Sequence, residues 1–189
     1  PVDGSPSAKV DLGDYPPEDR LLSGVQWWPD SSRLALFVQN RVQSWLDVTA
    51  VARDGGKPAK LLRDSTPAWI EAPMFRALAD GSFVMSSERS GFKQLYRYSA
   101  KGELTAPLTP GEYEVTAIDE IDEPAGRIYF TATREAALGN DLCRAPLGGG
   151  PIERLTSGPG THTASVKGRY FLDAWSSRTS PPRITLNEI

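Results

Sequence analysis

The sequence has little of the chemistry that hydrolytic enzymes use. Its 189 residues include one histidine and one cysteine. A single cysteine, Cys143, cannot form an internal disulfide or a thiolate zinc site, and a single histidine gives no basis for a Ser-His-Asp triad. The Gly-x-Ser-x-Gly elbow that presents a nucleophilic serine is also missing. We therefore expect no catalytic residue and no cofactor in this chain.

Long apolar runs and an excess of positive charge are missing too. No apolar stretch approaches the ~20 residues that a membrane helix needs. The formal net charge is -3, and the lysines and arginines are scattered, which is unlike a nucleic-acid-binding surface. Hydrophobic residues make up 39% of the chain, as in globular proteins. Because the sequence starts at Pro1 without a leader peptide, we expect it to be a piece of a longer polypeptide.

Apolar residues recur at a spacing of 47 positions. Three rows keep this step: Leu36, Phe83 and Phe130; Val48, Leu95 and Leu142; Leu61, Leu108 and Leu155. A period of 40–50 residues with about four short strands per unit is typical of β-propeller blades. The sequence therefore predicts an all-β fold, a partial β-propeller of three to four blades made of four-stranded antiparallel sheets. A β-sandwich stays open, although it gives no reason for the 47-residue repeat.

The repeat also predicts the limits of the blades. We expect a leading segment at 1–23, blades at 24–64, 65–111 and 112–158, and an incomplete blade at 159–189. The best helical candidate, Arg134–Leu138, is too short to be stable alone. Trp27 and Trp28 are expected to pack in the core between blades.

Three features of the sequence could indicate a binding site, but each has a simpler explanation. His162 between two threonines is expected to hydrogen-bond locally at the end of a strand or in a loop. Gly148–Gly150 is not followed by the Lys-Ser/Thr pair and helix of a phosphate loop. An acidic run suggests calcium, but its spacing fits no known loop, so we expect a solvated turn and no metal. The residues of that run are Asp119, Glu120, Asp122 and Glu123.

One segment resembles a known family. Residues 86–96 read SSERSGFKQLY, which is similar to a segment in the propeller of dipeptidyl peptidase IV-like serine peptidases, members of the prolyl oligopeptidase superfamily. Further elements follow in the order found in that family. They are Trp27–Ser31 upstream, and Leu108–Gly111, Glu112–Thr116, Ile128–Thr133, Leu155–Thr156, Gly160–Ser165 and Tyr170–Leu186 downstream.

The resemblance implies a function as well as a fold. Members have an eight-bladed propeller over an α/β-hydrolase domain, so this chain would be the second half of the propeller, with the missing half and the hydrolase as partners. It would be a non-catalytic part of a serine-type exopeptidase that restricts access to the peptide-binding cavity and walls it. The glutamate pair with which the family grips the peptide amino terminus is not in this chain. Substrate-lining residues would be Trp69, Glu71 and Arg76, and the location periplasmic or extracytoplasmic.

Two further expectations follow. The rival interpretation is a stand-alone periplasmic binding propeller for protein interaction, with no hydrolase attached. Because a propeller blade is covered by its neighbours, we also expect the isolated fragment to self-associate as a homo-oligomer. No nucleic-acid partner and no membrane segment are expected in this chain.

Overall fold

The computed structural model describes residues 7–135 and 138–189, which form fifteen β-strands and no helix. The candidate helix Arg134–Leu138 includes residues 136 and 137, which lie outside the described residues. The described part contains no helix that could span a bilayer. The strands are β1 (Arg20–Trp27), β2 (Arg33–Asn40), β3 (Trp45–Ala52), β4 (Ala59–Ser65), β5 (Phe75–Ala77), β6 (Phe83–Ser87), β7 (Gln94–Tyr98), β8 (Leu104–Pro107), β9 (Val115–Asp122), β10 (Arg127–Ala132), β11 (Asp141–Pro146), β12 (Glu153–Arg154), β13 (Thr161–Lys167), β14 (Tyr170–Ser177) and β15 (Ser180–Glu188).

Consecutive strands form four sheets. Their strand orders are β1-β2-β3-β4, β5-β6-β7-β8, β12-β11-β10-β9 and β13-β14-β15. The strands of the first, third and fourth sheets pair antiparallel with their neighbours. Each sheet is thus a meander, because every strand pairs with the strand that precedes or follows it along the chain.

Two of the three 47-residue rows are buried throughout, whereas in the third row only Leu108 is buried. Phe83, Phe130, Leu95 and Leu142 are completely buried, which confirms their predicted place in the core. Leu155 is only half-buried and packs against the cluster that contains Leu142. The apolar rows therefore mark equivalent positions of successive sheets.

A glycine closes the same turn in three successive 47-residue repeats. Gly55, Gly102 and Gly149 have φ angles of 85°, 86° and 80°. Each amide donates to the carbonyl oxygen three residues earlier, over 2.9, 2.9 and 3.0 Å respectively. A Cβ at Gly102 would lie 2.2 Å from the carbonyl oxygen of Leu61. Glycine is therefore required at this turn both for its backbone angle and for its lack of a side chain.

A fourth row, of buried polar residues, keeps the same spacing. Asp47, Gln94 and Asp141 are 1%, 1% and 4% exposed. Gln94 donates from Nε2 to the carbonyl oxygens of Gly111 and Tyr113, at 3.0 and 2.5 Å. Its side chain thus fixes the connector between β8 and β9.

The two aspartates of this row are bound by arginines instead. Arg63 donates from Nε and Nη2 to the two carboxylate oxygens of Asp47, at 2.6 and 2.8 Å. Arg154 Nε lies 2.8 Å from Asp141 Oδ1. Burial of an aspartate without such a donor would be costly, so each aspartate depends on the arginine of its own sheet.

The described residues divide into two compact units, one formed by Pro1–Val84 with Tyr98–Glu103 and the other by Met85–Arg97 with Leu104–Ile189. An aromatic cluster forms the core of the first. Its ring centroids lie 5.9 Å apart for Trp28 and Phe75 and 5.1 Å apart for Phe75 and Phe83. The core of the second contains Tyr129, Leu142, Val166 and Phe171.

The leading segment packs on the first sheet. Leu12 and Tyr15 cover a buried cluster of Leu36, Val38 and Val51. The residues before β1 therefore contribute to the core of the first unit.

One predicted core residue is not buried. Trp28 is 2% exposed, as predicted, but Trp27 is 50% exposed. Trp27 pairs with Leu34 at the end of β1, and it lies on the side of the sheet that also carries the exposed Val25. Trp28 lies beyond the strand, where its Nε1 donates to the carbonyl oxygen of Gly81 over 3.0 Å. The prediction for Trp27 was therefore wrong, because adjacent residues point in opposite directions.

Candidate functional site

The connector between β4 and β5 carries Trp69 and Glu71, two of the residues that the sequence singled out, and the third, Arg76, lies on β5. Trp69 is 59% exposed, so it does not pack in the core between blades. Its indole N–H donates to the side-chain oxygen of Gln43, and the amide of Ile70 donates to the Gln43 carbonyl oxygen over 2.8 Å. Glu71 and Arg76 are both exposed. The connector is thus fixed by backbone and side-chain bonds while the face of the indole stays in solvent.

A cavity of about 330 Å³ lies within the second unit. Its wall has three carboxylates and one guanidinium. Glu114 is held by its amide, which donates to Thr133 Oγ1 over 3.0 Å, and its carboxylate accepts from the Lys93 amide at 3.2 Å. Burial raises the pKa of Tyr113 to about 12, so its hydroxyl stays protonated at neutral pH. The lining residues are Phe92, Glu112, Tyr113, Glu114, Thr133, Arg134 and Glu135.

His162 belongs to a buried polar cluster. It lies at the start of β13, and its Nδ1 is 2.8 Å from Asp173 Oδ2 on β14. Its Nε2 is 4.0 Å from Asp141 Oδ1 and has no hydrogen-bond partner. The imidazole is therefore hydrogen-bonded, but to a residue eleven positions away on the neighbouring strand, and it is only 2% exposed. The side chain joins β13 to β14 within one sheet and reaches no solvent-exposed surface.

The acidic run before Pro124 lies on β9 and in the turn that follows it. Asp119 accepts a hydrogen bond from Thr131 Oγ1 at 2.9 Å. Burial raises the pKa of its carboxyl group to about 6, against which the Thr131 bond acts. Asp122 accepts from the amide of Ala125 at 3.0 Å, which closes the turn. No three His, Cys, Asp or Glu side chains among residues 7–135 and 138–189 are arranged to hold a metal ion.

The raised pKa of Asp119 predicts a pH-dependent stability. The folded state holds the proton of this group more tightly than the unfolded state, whose pKa is near the ordinary 3.8. The contribution of Asp119 is therefore favourable at low pH and is lost as the pH rises through about 6. Asp119→Asn should raise the free energy of unfolding by about 1–2 kcal/mol at neutral pH, with allowance for solvent screening.

Urea denaturation of the parent chain and of Asp119→Asn at acidic and neutral pH measures this effect. Asp30→Asn is the control of opposite sign, because hydrogen bonds from Ser32 lower the pKa of Asp30. That variant should lose stability relative to the parent chain as the pH rises above the ordinary range of aspartate. An equal gain for Asp119→Asn at both pH values would contradict the burial argument.

Comparison with known proteins settles the family. A model of the dipeptidyl peptidase IV (DPP IV) N-terminal region matches residues 2–182. The chain belongs to this family. The resemblance inferred from residues 86–96 is thereby confirmed, and the buried rows of the 47-residue repeat are positions of a DPP IV N-terminal region.

Relatives of this DPP IV N-terminal region are named dipeptidyl peptidases. Dipeptidyl peptidase 4 of Arthroderma otae is 35% identical over 127 residues, which cover 62% of this chain and 16% of the relative. Dipeptidyl peptidase 4 of Trichophyton rubrum is 28% identical over 141 residues, which cover 70% of this chain and 18% of the relative. The chain thus spans less than a fifth of the length of these relatives.

A solved structure gives the fold. The crystal structure of Porphyromonas gingivalis dipeptidyl peptidase 4 superposes with a TM-score of 0.84 at 22% identity, over 95% of this chain and 26% of that one. The predicted all-β, partial β-propeller fold of the DPP IV N-terminal region is confirmed. At this identity the likeness concerns the fold, and the roles of Trp69, Glu71 and Arg76 stay predictions.

Proposed function

We propose that this chain is the non-catalytic propeller segment of a DPP IV-like serine exopeptidase, where it restricts access to the peptide-binding cavity and forms part of its wall. The observation that carries the proposal is the family match over residues 2–182. The relatives that support it are named dipeptidyl peptidases. The hydrolytic chemistry belongs to another part of the complete protein, and this segment contributes binding and exclusion.

The connector with Trp69 and Glu71, together with Arg76 on β5, is the part of the wall that we assign to the peptide. An exposed indole offers an apolar face to a peptide side chain. A carboxylate can bind an ammonium or a peptide N–H, and a guanidinium can donate to peptide carbonyl oxygens. These three side chains orient a substrate and perform no step of its hydrolysis.

The complete gene product, purified and assayed on X-Pro chromogenic dipeptides, tests the proposal. Trp69→Ala should raise KM about fivefold and leave kcat unchanged, because an aromatic contact contributes on the order of 1 kcal/mol to binding. Trp27→Ala is the matched control, since Trp27 is exposed to a similar extent and is not on the connector.

Two results count against the proposal. A gene product that cleaves no dipeptide substrate favours the stand-alone binding propeller. An active enzyme whose KM is unchanged in Trp69→Ala, Glu71→Ala and Arg76→Ala leaves the peptidase assignment in place and removes these residues from the cavity wall.

A further inference from the structure

Gln43 accepts two hydrogen bonds from the connector, one from the Trp69 indole and one from the next residue. The indole N–H of Trp69 donates to the side-chain oxygen of Gln43. The next residue along the connector, Ile70, donates its amide to the main-chain oxygen of Gln43 over 2.8 Å. The side chain and the backbone of Gln43 therefore act on adjacent residues of the connector, so the position of Gln43 decides where Trp69 lies.

Gln43 itself has an unusual backbone conformation. Its φ of 55° is left-handed, and within the described ranges the only other residue besides glycine with a positive φ is Ser31. Such conformations are unfavourable for residues with a Cβ and persist only where the surroundings hold them. Asn40 supplies that support, because its main-chain oxygen accepts from the Gln43 amide at 3.0 Å and its side-chain oxygen accepts from the Ser44 amide at 3.0 Å.

A second glutamine holds the connector from inside the sheet. Gln39 on β2 is 1% exposed, and its Nε2 donates to the carbonyl oxygen of Ile70 over 2.7 Å. Both main-chain polar groups of Ile70 are thus hydrogen-bonded, its amide to Gln43 and its carbonyl oxygen to Gln39. The Oε1 atom of Gln39 has no hydrogen-bond partner, so the bond to Ile70 is the one that this buried side chain makes from its amide group.

The polar edge of the indole is occupied, and this limits what it can bind. Trp69 is 59% exposed, and the N–H that is its one polar side-chain group is already donated to Gln43. Val42, next to Gln43 in the β2–β3 hairpin, is 72% exposed and is a second exposed apolar residue next to the one that holds the indole. A ligand group at this position therefore gains from apolar contact rather than from a new hydrogen bond to the indole.

We propose that Gln43 is a positioning residue, which holds the Trp69 indole with its face open to an apolar side chain of the peptide substrate. The peptide part of this inference rests on the proposed function. The positioning part concerns only contacts within this chain. The two parts can therefore be tested by different measurements.

The first measurement follows the indole itself. In ¹⁵N–¹H correlation spectra of the chain, which has five tryptophans, Trp69→Phe identifies the Trp69 indole signal. Gln43→Gly keeps the left-handed backbone accessible and removes the acceptor. Exchange of the Trp69 indole proton with water should accelerate on the order of tenfold, because an exposed N–H without its hydrogen bond exchanges freely. The other indole signals should be unchanged.

Matched variants separate the side chain from the backbone. Ser31→Gly makes the same kind of change at the other left-handed residue and should leave the Trp69 signal where it is. Gln43→Glu keeps an acceptor oxygen at the same distance and should retain the slow exchange. Unchanged exchange in Gln43→Gly overturns the positioning role, whatever the enzyme kinetics show.

The second measurement uses the complete enzyme and its KM for dipeptide substrates. Gln43→Gly should raise KM by a similar factor to Trp69→Ala, and the double variant should be no worse than Trp69→Ala alone, because both changes remove one contact. Faster indole exchange with an unchanged KM in both single variants overturns the peptide contact and its part of the proposed function, while Gln43 stays the residue that holds the indole.

Discussion

Replacing Leu142 by alanine is expected to lower the free energy of unfolding by about 2–5 kcal/mol, the range for large-to-small changes in a well-packed core. Leu142 is completely buried and belongs to the cluster with Tyr129, Val166 and Phe171. These residues come from two consecutive sheets, so a cavity at Leu142 weakens both the third sheet and its packing against the last one. The midpoint of urea denaturation, measured by circular dichroism, gives the effect.

The same substitution at an exposed leucine is the control. Leu186 on β15 is 68% exposed, and Leu186→Ala should change the unfolding free energy by less than about 0.5 kcal/mol, as is usual on surfaces. Equal midpoints for the parent chain and Leu142→Ala would contradict the assignment of the 47-residue row to the core.

Gly102→Ala is expected to destabilise the protein strongly for a change that adds one methyl group. A methyl group at this position would lie 2.2 Å from the carbonyl oxygen of Leu61, and the backbone φ of 86° disfavours any residue with a Cβ. Because the obstacle is backbone rather than a flexible side chain, either the turn or β4 must move. Overpacking of this kind typically costs about 1–3 kcal/mol in addition to the cost of the backbone angle.

Gly91 separates the two causes. Its φ is 94°, close to that of Gly102, and no atom lies within 4 Å of a Cβ built there. Gly91→Ala should therefore lose only the conformational contribution, roughly 1–2 kcal/mol. The stability of the two variants is compared by thermal denaturation. If both lost the same amount, the close approach to Leu61 would have no energetic role.

The sequence predicts the regular part of this fold well. The limits of β3, β7 and β10 agree with the strand segments that the sequence indicates, Trp45–Ala52, Gln94–Tyr98 and Arg127–Ala132, of which the second alternates polar and apolar residues. The turn at Lys101–Gly102 is equally clear from its glycine. These features are local, so the period of the pattern and the chemistry of the turn residues are enough to place them.

Features that depend on contacts between distant residues are less predictable. The sequence does not distinguish the exposed Trp27 from the buried Trp28, because both are large aromatic residues at the end of one strand. It also gives no indication that His162 is buried against Asp173, eleven residues later.

The candidate site was only partly visible in the sequence. Trp69 was singled out by family resemblance, but the glutamines that hold its connector were missed. No glycine or asparagine marks the left-handed position at Gln43, and Gln39 follows five apolar residues near the end of β2. A glutamine next to the apolar residues of β2 was the one signal in the sequence. Its partner, the Ile70 carbonyl group, becomes apparent only in three dimensions.

The row formed by Asp47, Gln94 and Asp141 means that the repeated units are not interchangeable. A unit with aspartate at this position needs a guanidinium from its own outer strand, whereas the unit with Gln94 needs two carbonyl oxygens from the connector that follows it. Exchanging the residue between units, as in Gln94→Asp, would place a buried carboxylate opposite carbonyl oxygens. This one position therefore distinguishes the repeat that contains Gln94 from the two that contain aspartate.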